Sequence, residues 1–187
     1  MITGVLLAAG SASRFGSQKL LARLADGRRL VEASMTNLSA GCEGRVVAVT
    51  RRNPELIQVL EVCGCRIVVN DNAECGMGTS IATGVAATPD ASGWVIALAD
   101  MPSIRIETVV AVIDALRGGA RIAVPTMGGK RGHPVGFSAL YRAQLQALTG
   151  DIGAREILKA YANYVEEICV DDAGIFADID TPVDLKL

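Results

Sequence analysis

The segment LLAAGSASRFGSQKLL, residues 6–21, joins small residues to two cations directly after an apolar run. Its alanines and glycine leave the backbone open to close approach by a ligand. Serine hydroxyls add donors, arginine can bind phosphate oxygens through two nitrogens, and lysine supplies a compact charge. This chemistry suits a nucleoside triphosphate. The candidate nucleotide-binding residues of the segment are Leu7, Ala8, Ala9, Gly10, Ser11, Arg14 and Lys19.

Two common phosphate-binding motifs are absent from this segment. Five residues separate Gly10 from Gly16, and no lysine follows directly, so it is not a P-loop. The G-x-G-x-x-G fingerprint of dinucleotide-binding proteins is also missing, which disfavours an NAD site. A glycine turn carrying two solvated cations is the alternative interpretation.

Three aspartates are candidates for holding a divalent metal ion. Asp100 ends the apolar stretch GWVIALAD, and Asp178 and Asp180 flank Ile179. Alternation in an extended segment would place both of the latter on one side. Mg²⁺ binds carboxylate oxygens together with phosphates and water, and Mn²⁺ is a second candidate. Capping of a following helix is the alternative role for Asp100 and for Asp180.

Apolar runs alternate with helical patterns along most of the chain. This order predicts an α/β fold, with a mainly parallel, Rossmann-like sheet covered by helices on both faces in three α/β/α layers. Ligands of such sheets bind beyond the carboxyl ends of the strands, so the loops after Leu7, Leu98 and Val135 should carry the chemistry. Helices predicted in the second half of the chain span residues 107–116, 141–148, 154–162 and 182–187.

Composition limits the class of protein. The 187 residues are half hydrophobic and suit a single domain, 1–187. A formal net charge of −2 gives no basic excess, so we expect no nucleic-acid partner. The N-terminal apolar run is too short for a membrane span and lacks a basic leader, which predicts a cytoplasmic protein. Five cysteines with only a C-x-C pair and one histidine disfavour zinc and predict reduced, mostly buried thiols.

The first segment resembles the signature L-A-A-G-x-S-x-R-x-G-x-x-K of nucleotidyltransferases in the molybdenum cofactor family. The similarity is greatest to the molybdenum cofactor cytidylyltransferase group of MobA-like NTP transferases, and six ordered motifs carry it along most of the chain. The other five are GMGTSI at 76–81, LADMP at 98–102, GHPVGF at 132–137, GDIGAR at 150–155 and DIDTPVDL at 178–185.

The resemblance implies transfer of CMP from CTP to molybdenum cofactor, with release of pyrophosphate and dependence on Mg²⁺ or Mn²⁺. Arg14 and Lys19 would hold the triphosphate. Asp100 would hold the metal ion, and the family pattern favours Asp180 over Asp178 as the second ligand. The catalytic residues that it implies are therefore Arg14, Lys19 and Asp100.

The same resemblance suggests contacts to the base and to the acceptor. Ser80 would contact the nucleotide, and His133 and Arg155 would face the acceptor. A structural histidine and an exposed helix arginine are the alternatives for these two residues. Ala9 accompanies the cytidine enzymes, whereas the guanylyl branch has glycine there. One methyl group accounts for a discrimination of only about 10- to 200-fold, so GTP stays open.

Two other functions are compatible with the motifs. One is a related nucleotidyltransferase that uses GTP or CTP on another phosphorylated acceptor. The other is a non-catalytic carrier that delivers cofactor, with a molybdoenzyme or its chaperone as partner. A pure carrier would not need the metal-binding carboxylates, which favours an enzyme.

Overall fold

A sheet of eight strands forms the centre of the computed structural model, which describes residues 1–10, 18–181 and 183–186. The order in the sheet is β3-β2-β1-β4-β7-β5, and β6 and β8 each pair with β5. Only β6 and β7 run against the other strands. The strands are β1 (Ile2–Ala8), β2 (Val46–Thr50), β3 (Arg66–Val69), β4 (Gly93–Leu98), β5 (Ile122–Met127), β6 (Lys130–Arg131), β7 (Val135–Ser138) and β8 (Val165–Cys169).

Helices cover both faces of this sheet. One core holds buried side chains of the first, second and fourth helices, among them Leu38, Leu60 and Val112. The opposite core holds Ile81 and Leu145 from two of the others. The predicted three-layer α/β/α fold is confirmed. The helices are α1 (Leu30–Gly41), α2 (Pro54–Val62), α3 (Met77–Ala86), α4 (Ile106–Arg117), α5 (Arg142–Gln146) and α6 (Arg155–Ala160).

The parallel strands β1, β2 and β4 bring three chain segments to one edge of the sheet. Ala8 pairs with Thr50, and Leu7 pairs with Leu98, so the strands end at the same level. The residues that follow them therefore share a cleft, as expected for ligand sites of parallel sheets.

Three helices of the second half are shorter than predicted. The predicted helix 141–148 is α5 preceded by a 3₁₀ turn at Ala139–Tyr141, and it stops before Gly150, whose φ of +70° turns the chain. The predicted helix 154–162 ends at Ala160 and is followed by a 3₁₀ turn at Ala162–Tyr164. The described part of 182–187 is a 3₁₀ turn at Asp184–Lys186.

The helix-capping alternative proposed for Asp100 is wrong. Helix α4 begins six residues after Asp100, and the buried Asp172 accepts hydrogen bonds from the Arg105 amide and the Thr108 hydroxyl at its first turn. At the C terminus, Asp184 accepts the amide hydrogens of Asp180 and Thr181. Asp184 therefore holds the described C-terminal turn, and the Asp100 side chain is left for a role other than capping α4.

The cysteines are all free thiols, but most of them are not buried. Only Cys42 is buried, where burial raises its pKa to about 12. Cys63 and Cys65 are half-buried, and Cys75 and Cys169 are exposed. The prediction of mostly buried thiols is wrong because most of the cysteines lie near the ends of elements rather than in the core.

Candidate active site

One buried lysine joins two carboxylates at the carboxyl edge of the sheet. Lys19 Nζ lies 2.9 Å from Asp100 Oδ2 and 2.9 Å from Asp180 Oδ1. The lysine side chain is 10% exposed, whereas those of Asp100 and Asp180 are 28% and 50% exposed. Residues predicted from three separate motifs thus form one charged cluster, with two carboxylates for one ammonium group.

Local structure holds each member of the cluster in place. Lys19 begins a 3₁₀ turn at Lys19–Leu21, whose two leucines pack against the core. Asp100 follows the end of β4 by two residues. The Ile179 amide donates to the Asp100 carbonyl at 2.9 Å, and Ile179 is buried. This bond fixes the C-terminal segment beside β4 and turns Asp180 toward Lys19.

Electrostatics keep this lysine charged. Burial alone would lower the pKa of Lys19, but its hydrogen bonds and ion pairs with Asp180 and Asp100 outweigh that effect and raise the pKa above its ordinary value. The ammonium group therefore stays protonated near neutral pH and is available to neutralise a phosphate oxygen.

The two carboxylates also fit a divalent cation. Oxygens of Asp100 and Asp180 already converge on one positive charge, and the cluster is open enough to admit phosphates and water. This is the ligand set that Mg²⁺ takes in nucleotide enzymes. Within the described ranges, no group of three or more histidine, cysteine, aspartate or glutamate side chains forms a self-sufficient metal site. A bound ion would therefore share its shell with the nucleotide.

A cavity of about 430 Å³ opens beside Asp100, between the first loop and the N terminus of α3. Ser80 lines it, and the Ser80 hydroxyl oxygen accepts a hydrogen bond from the side-chain amide nitrogen Nδ2 of Asn70 at 3.0 Å. The Ser80 hydroxyl proton is left for a ligand, since no described residue accepts it. The predicted nucleotide residues that line this cavity are Leu7, Ala9, Gly10, Ser80 and Asp100.

A second cavity, of about 390 Å³, adjoins the first and shares Leu7, Met77, Leu98 and Asp151 with it. His133 and Arg155, the two residues predicted to contact the acceptor, both line it. Most of its wall is apolar, and its charged lining residues are Arg131, Asp151 and Arg155 beside His133. Arg131 is already paired with Glu167 at 2.8 Å.

Two predicted residues, Ser11 and Arg14, lie outside the described residues. Ala8 is buried at the end of β1 and lines a third cavity with Lys19. Sequence analysis missed Arg51, which follows β2 and lines the cavity with Ala9 and Ser80. The signal available for it was its position directly after a parallel strand.

Gly78 of the motif GMGTSI allows close contact between the N terminus of α3 and the loop before α6. A Cβ on Gly78 would lie 2.7 Å from the Thr149 carbonyl oxygen, and the Gly78 amide donates to the Gly150 carbonyl at 2.8 Å. This contact joins the N terminus of α3 to the loop before α6. It therefore holds together the walls of both cavities.

We expect Gly78→Ala to separate these walls. The added methyl group would meet backbone atoms that cannot move without shifting the loop, at a cost of about 1–3 kcal/mol in the free energy of unfolding. Gly118→Ala is the matched control, because a Cβ there has 3.3 Å to its nearest neighbour and φ is −72°. Urea denaturation should show the loss for Gly78→Ala alone, and equal midpoints for the two variants would contradict this role.

The single histidine, His133, is held at the edge of the second cavity. Its amide donates to the Ile175 carbonyl at 3.0 Å, and no described residue bonds its buried Nδ1. The peptide bond to Pro134 is cis. Burial lowers the pKa of His133; the nearby Asp100 and Asp178 carboxylates oppose the shift and Arg155 adds to it. The imidazole is therefore neutral at pH 7.

This pKa shift predicts an acid-dependent stability. Because the folded-state pKa lies below the ordinary value of 6.5, the unfolded chain binds the proton more readily. The stability contributed by neutral His133 is present above about pH 6.5 and falls as the pH drops below it. Thermal denaturation between pH 8 and 5 should show this slope, and His133→Gln should flatten it. An unchanged slope in the variant would contradict the assignment.

Comparison with known proteins identifies the family of this chain. The model of the MobA-like NTP transferase domain matches residues 4–165. The three-layer fold and the charged cleft at the strand ends are those of a nucleotidyltransferase. The chain belongs to the MobA-like NTP transferase family, which confirms the resemblance drawn from the motifs.

Relatives match nearly the whole chain. Nicotine blue oxidoreductase of Paenarthrobacter nicotinovorans is 33% identical, over 96% of this chain and 92% of its own. The purine catabolism protein PucB of Bacillus subtilis (strain 168) is 31% identical, over 97% of this chain and 92% of its own length. Rv0371c from Mycobacterium tuberculosis is 27% identical in sequence. Its crystal structure matches this one with a TM-score of 0.83, covering 98% of this chain and 94% of Rv0371c. A further structure of Rv0371c, 25% identical with a TM-score of 0.77 over 100% and 93%, is a complex with manganese.

Among the residues described, none of the helices is both long and apolar enough to cross a membrane.

Proposed function

We propose that this nucleotidyltransferase transfers CMP from CTP to molybdenum cofactor and releases pyrophosphate, with Mg²⁺ as the metal ion. The observation that carries the proposal is the pair of adjoining cavities beside the cluster of Lys19, Asp100 and Asp180. We assign the cavity beside Asp100 to the nucleotide and the more apolar cavity that adjoins it to the acceptor.

The reaction needs an acceptor phosphate to attack the α-phosphorus of the nucleotide. Negative charge accumulates on the phosphoryl oxygens, so positioning and charge neutralisation account for most of the catalysis. Lys19 is proposed to neutralise this charge, and Arg14 to hold the triphosphate. A phosphate monoester is already ionised near neutral pH, so no general base is required. This agrees with a histidine that is half-buried and neutral.

The metal ion would be held by Asp100 and Asp180, the two carboxylates that already face one cation. When bound, it would supply positive charge to the phosphoryl oxygens. The manganese complex of Rv0371c supports the use of a divalent cation. Asp178 is exposed, which favours Asp180 as the second ligand.

Support for cytosine comes from the volume of the nucleotide cavity near the first loop. Ala9 is buried and lines this cavity, so its methyl group takes space that a purine would need. Support for the pterin acceptor comes from the apolar second cavity, where His133 and Arg155 offer polar contacts at one side.

The direct experiment measures pyrophosphate release with CTP, GTP, ATP or UTP, each with molybdenum cofactor and with Mg²⁺, Mn²⁺ or EDTA. Metal-dependent release with CTP alone is the expected result. Release with GTP would move the protein to the guanylyl branch. Nucleotide binding without release would favour another phosphorylated acceptor, and binding of the cofactor without any nucleotide would favour a carrier. NAD(P)H consumption with a quinonoid dye instead would favour a redox enzyme.

A further inference from the structure

Arg51 is a charged residue of the nucleotide cavity to which the reaction above assigns no role. It follows β2 directly, where Thr50 pairs with Ala8 of the neighbouring strand β1. It lines the cavity that contains Ala9 and Ser80 and also borders the cavity beside Lys19. An arginine at this place faces whatever nucleotide the cleft holds.

The guanidinium of Arg51 is fixed at one nitrogen. Its Nε donates a hydrogen bond to the carbonyl oxygen of Ala9. The two terminal nitrogens have no hydrogen-bond partner among the described residues. A half-buried arginine held in this way presents a planar pair of donors with little loss of side-chain entropy on binding. The donor pair therefore lies beside Ala9, the residue proposed to limit the size of the base.

The neighbouring Arg52 shows that this placement is specific. Arg52 is exposed, with 79% of its side chain accessible, and forms a two-nitrogen pair with Asp71 at 2.7 and 2.9 Å. It does not line the cavity of Ala9 and Ser80. Consecutive arginines thus have different environments, and only the first one faces this cavity.

We propose that Arg51 is the residue that recognises the base, donating hydrogen bonds to O2 and N3 of cytosine. Cytosine presents these two acceptors side by side on one edge. Uracil has a donor, N3–H, at the second position, and arginine has no acceptor to meet it. The inference rests on the proposed use of CTP and adds discrimination between two pyrimidines that Ala9 cannot distinguish by size.

The experiment compares binding of CTP and UTP, each with Mg²⁺, to the wild-type protein and to Arg51→Gln, Arg51→Lys and Arg52→Gln by calorimetry. We expect Arg51→Gln to weaken CTP binding roughly tenfold and to leave UTP binding almost unchanged, because a glutamine amide can pair with either base. Arg51→Lys keeps the charge but lacks the planar donor pair, so the preference for CTP should not return. Arg52→Gln should resemble the wild type.

The possible results separate this inference from the proposed function. An equal loss of CTP and UTP affinity in Arg51→Gln, restored in Arg51→Lys, would show a phosphate contact and overturn base recognition. A wild-type preference for CTP that persists in Arg51→Gln would overturn the role of Arg51 alone. A wild-type preference for GTP would contradict the use of CTP and, with it, this inference. Thermal denaturation without nucleotide checks that each variant is folded.

Discussion

Lys19→Met is expected to lower kcat by about 10²- to 10³-fold, because it removes a preorganised charge from the centre of phosphoryl transfer. The methionine keeps most of the apolar stem, so packing of the 3₁₀ turn at Lys19–Leu21 should survive. The measurement is pyrophosphate release under saturating nucleotide. Lys159→Met, at an exposed position of α6, is the matched control and should retain wild-type turnover.

The same variant should bind free Mn²⁺ more tightly than the wild type does. The Lys19 ammonium lies 2.9 Å from both Asp100 and Asp180 and so competes with a metal ion for their charge. Removing it should raise Mn²⁺ affinity roughly tenfold, as the Coulomb energy of nearby charges in a partly solvated site suggests. Calorimetric titration with Mn²⁺ alone tests this. Weaker binding in Lys19→Met would contradict competition between the lysine and the metal ion.

The cluster also shows which part of the site is visible in the sequence. Each of the three motifs that supply Lys19, Asp100 and Asp180 contains a residue type suited to phosphate or metal binding. Their contact joins residues 81 and 161 positions apart, and it depends on β4 ending beside β1 and on the bond from Ile179 to the Asp100 carbonyl. Alternation of strands and helices predicts the first condition. The sequence around Ile179 contains no local signal that predicts its hydrogen bond to the Asp100 carbonyl.

Arg51 and Arg52 mark the limit of such predictions. They are adjacent, chemically identical and equally compatible with a solvated loop. One turns to the Ala9 carbonyl and the other to Asp71, because the loop after β2 presents alternate side chains to the cleft and to solvent. Helix ends show the same limit, since α5 ends at Gln146 although the helical pattern in the sequence continues to Leu148.

Asp180→Asn and Asp178→Asn form the sharpest test of the metal assignment, because they lie in one segment and only Asp180 of the two is ion-paired with Lys19 in the described structure. Asp180 contacts Lys19 through Oδ1, and Asp178, two residues earlier in the chain, is exposed. We expect Asp180→Asn to lower metal-dependent turnover about 10²-fold, since an amide oxygen replaces a charged ligand and the cluster loses one of its two negative charges. Asp178→Asn should stay within twofold of the wild type.

The reason for the difference is the position of each carboxylate relative to Asp100. A metal ion bound there needs a second carboxylate within reach of the same point, and in the described structure Asp180, not Asp178, forms an ion pair with the same lysine as Asp100. Mn²⁺ titration in the presence of nucleotide, together with pyrophosphate release, measures both effects. Should Asp178→Asn lose Mn²⁺ affinity while Asp180→Asn keeps it, the second ligand is Asp178, and the pairing of Asp180 with Lys19 has a structural role.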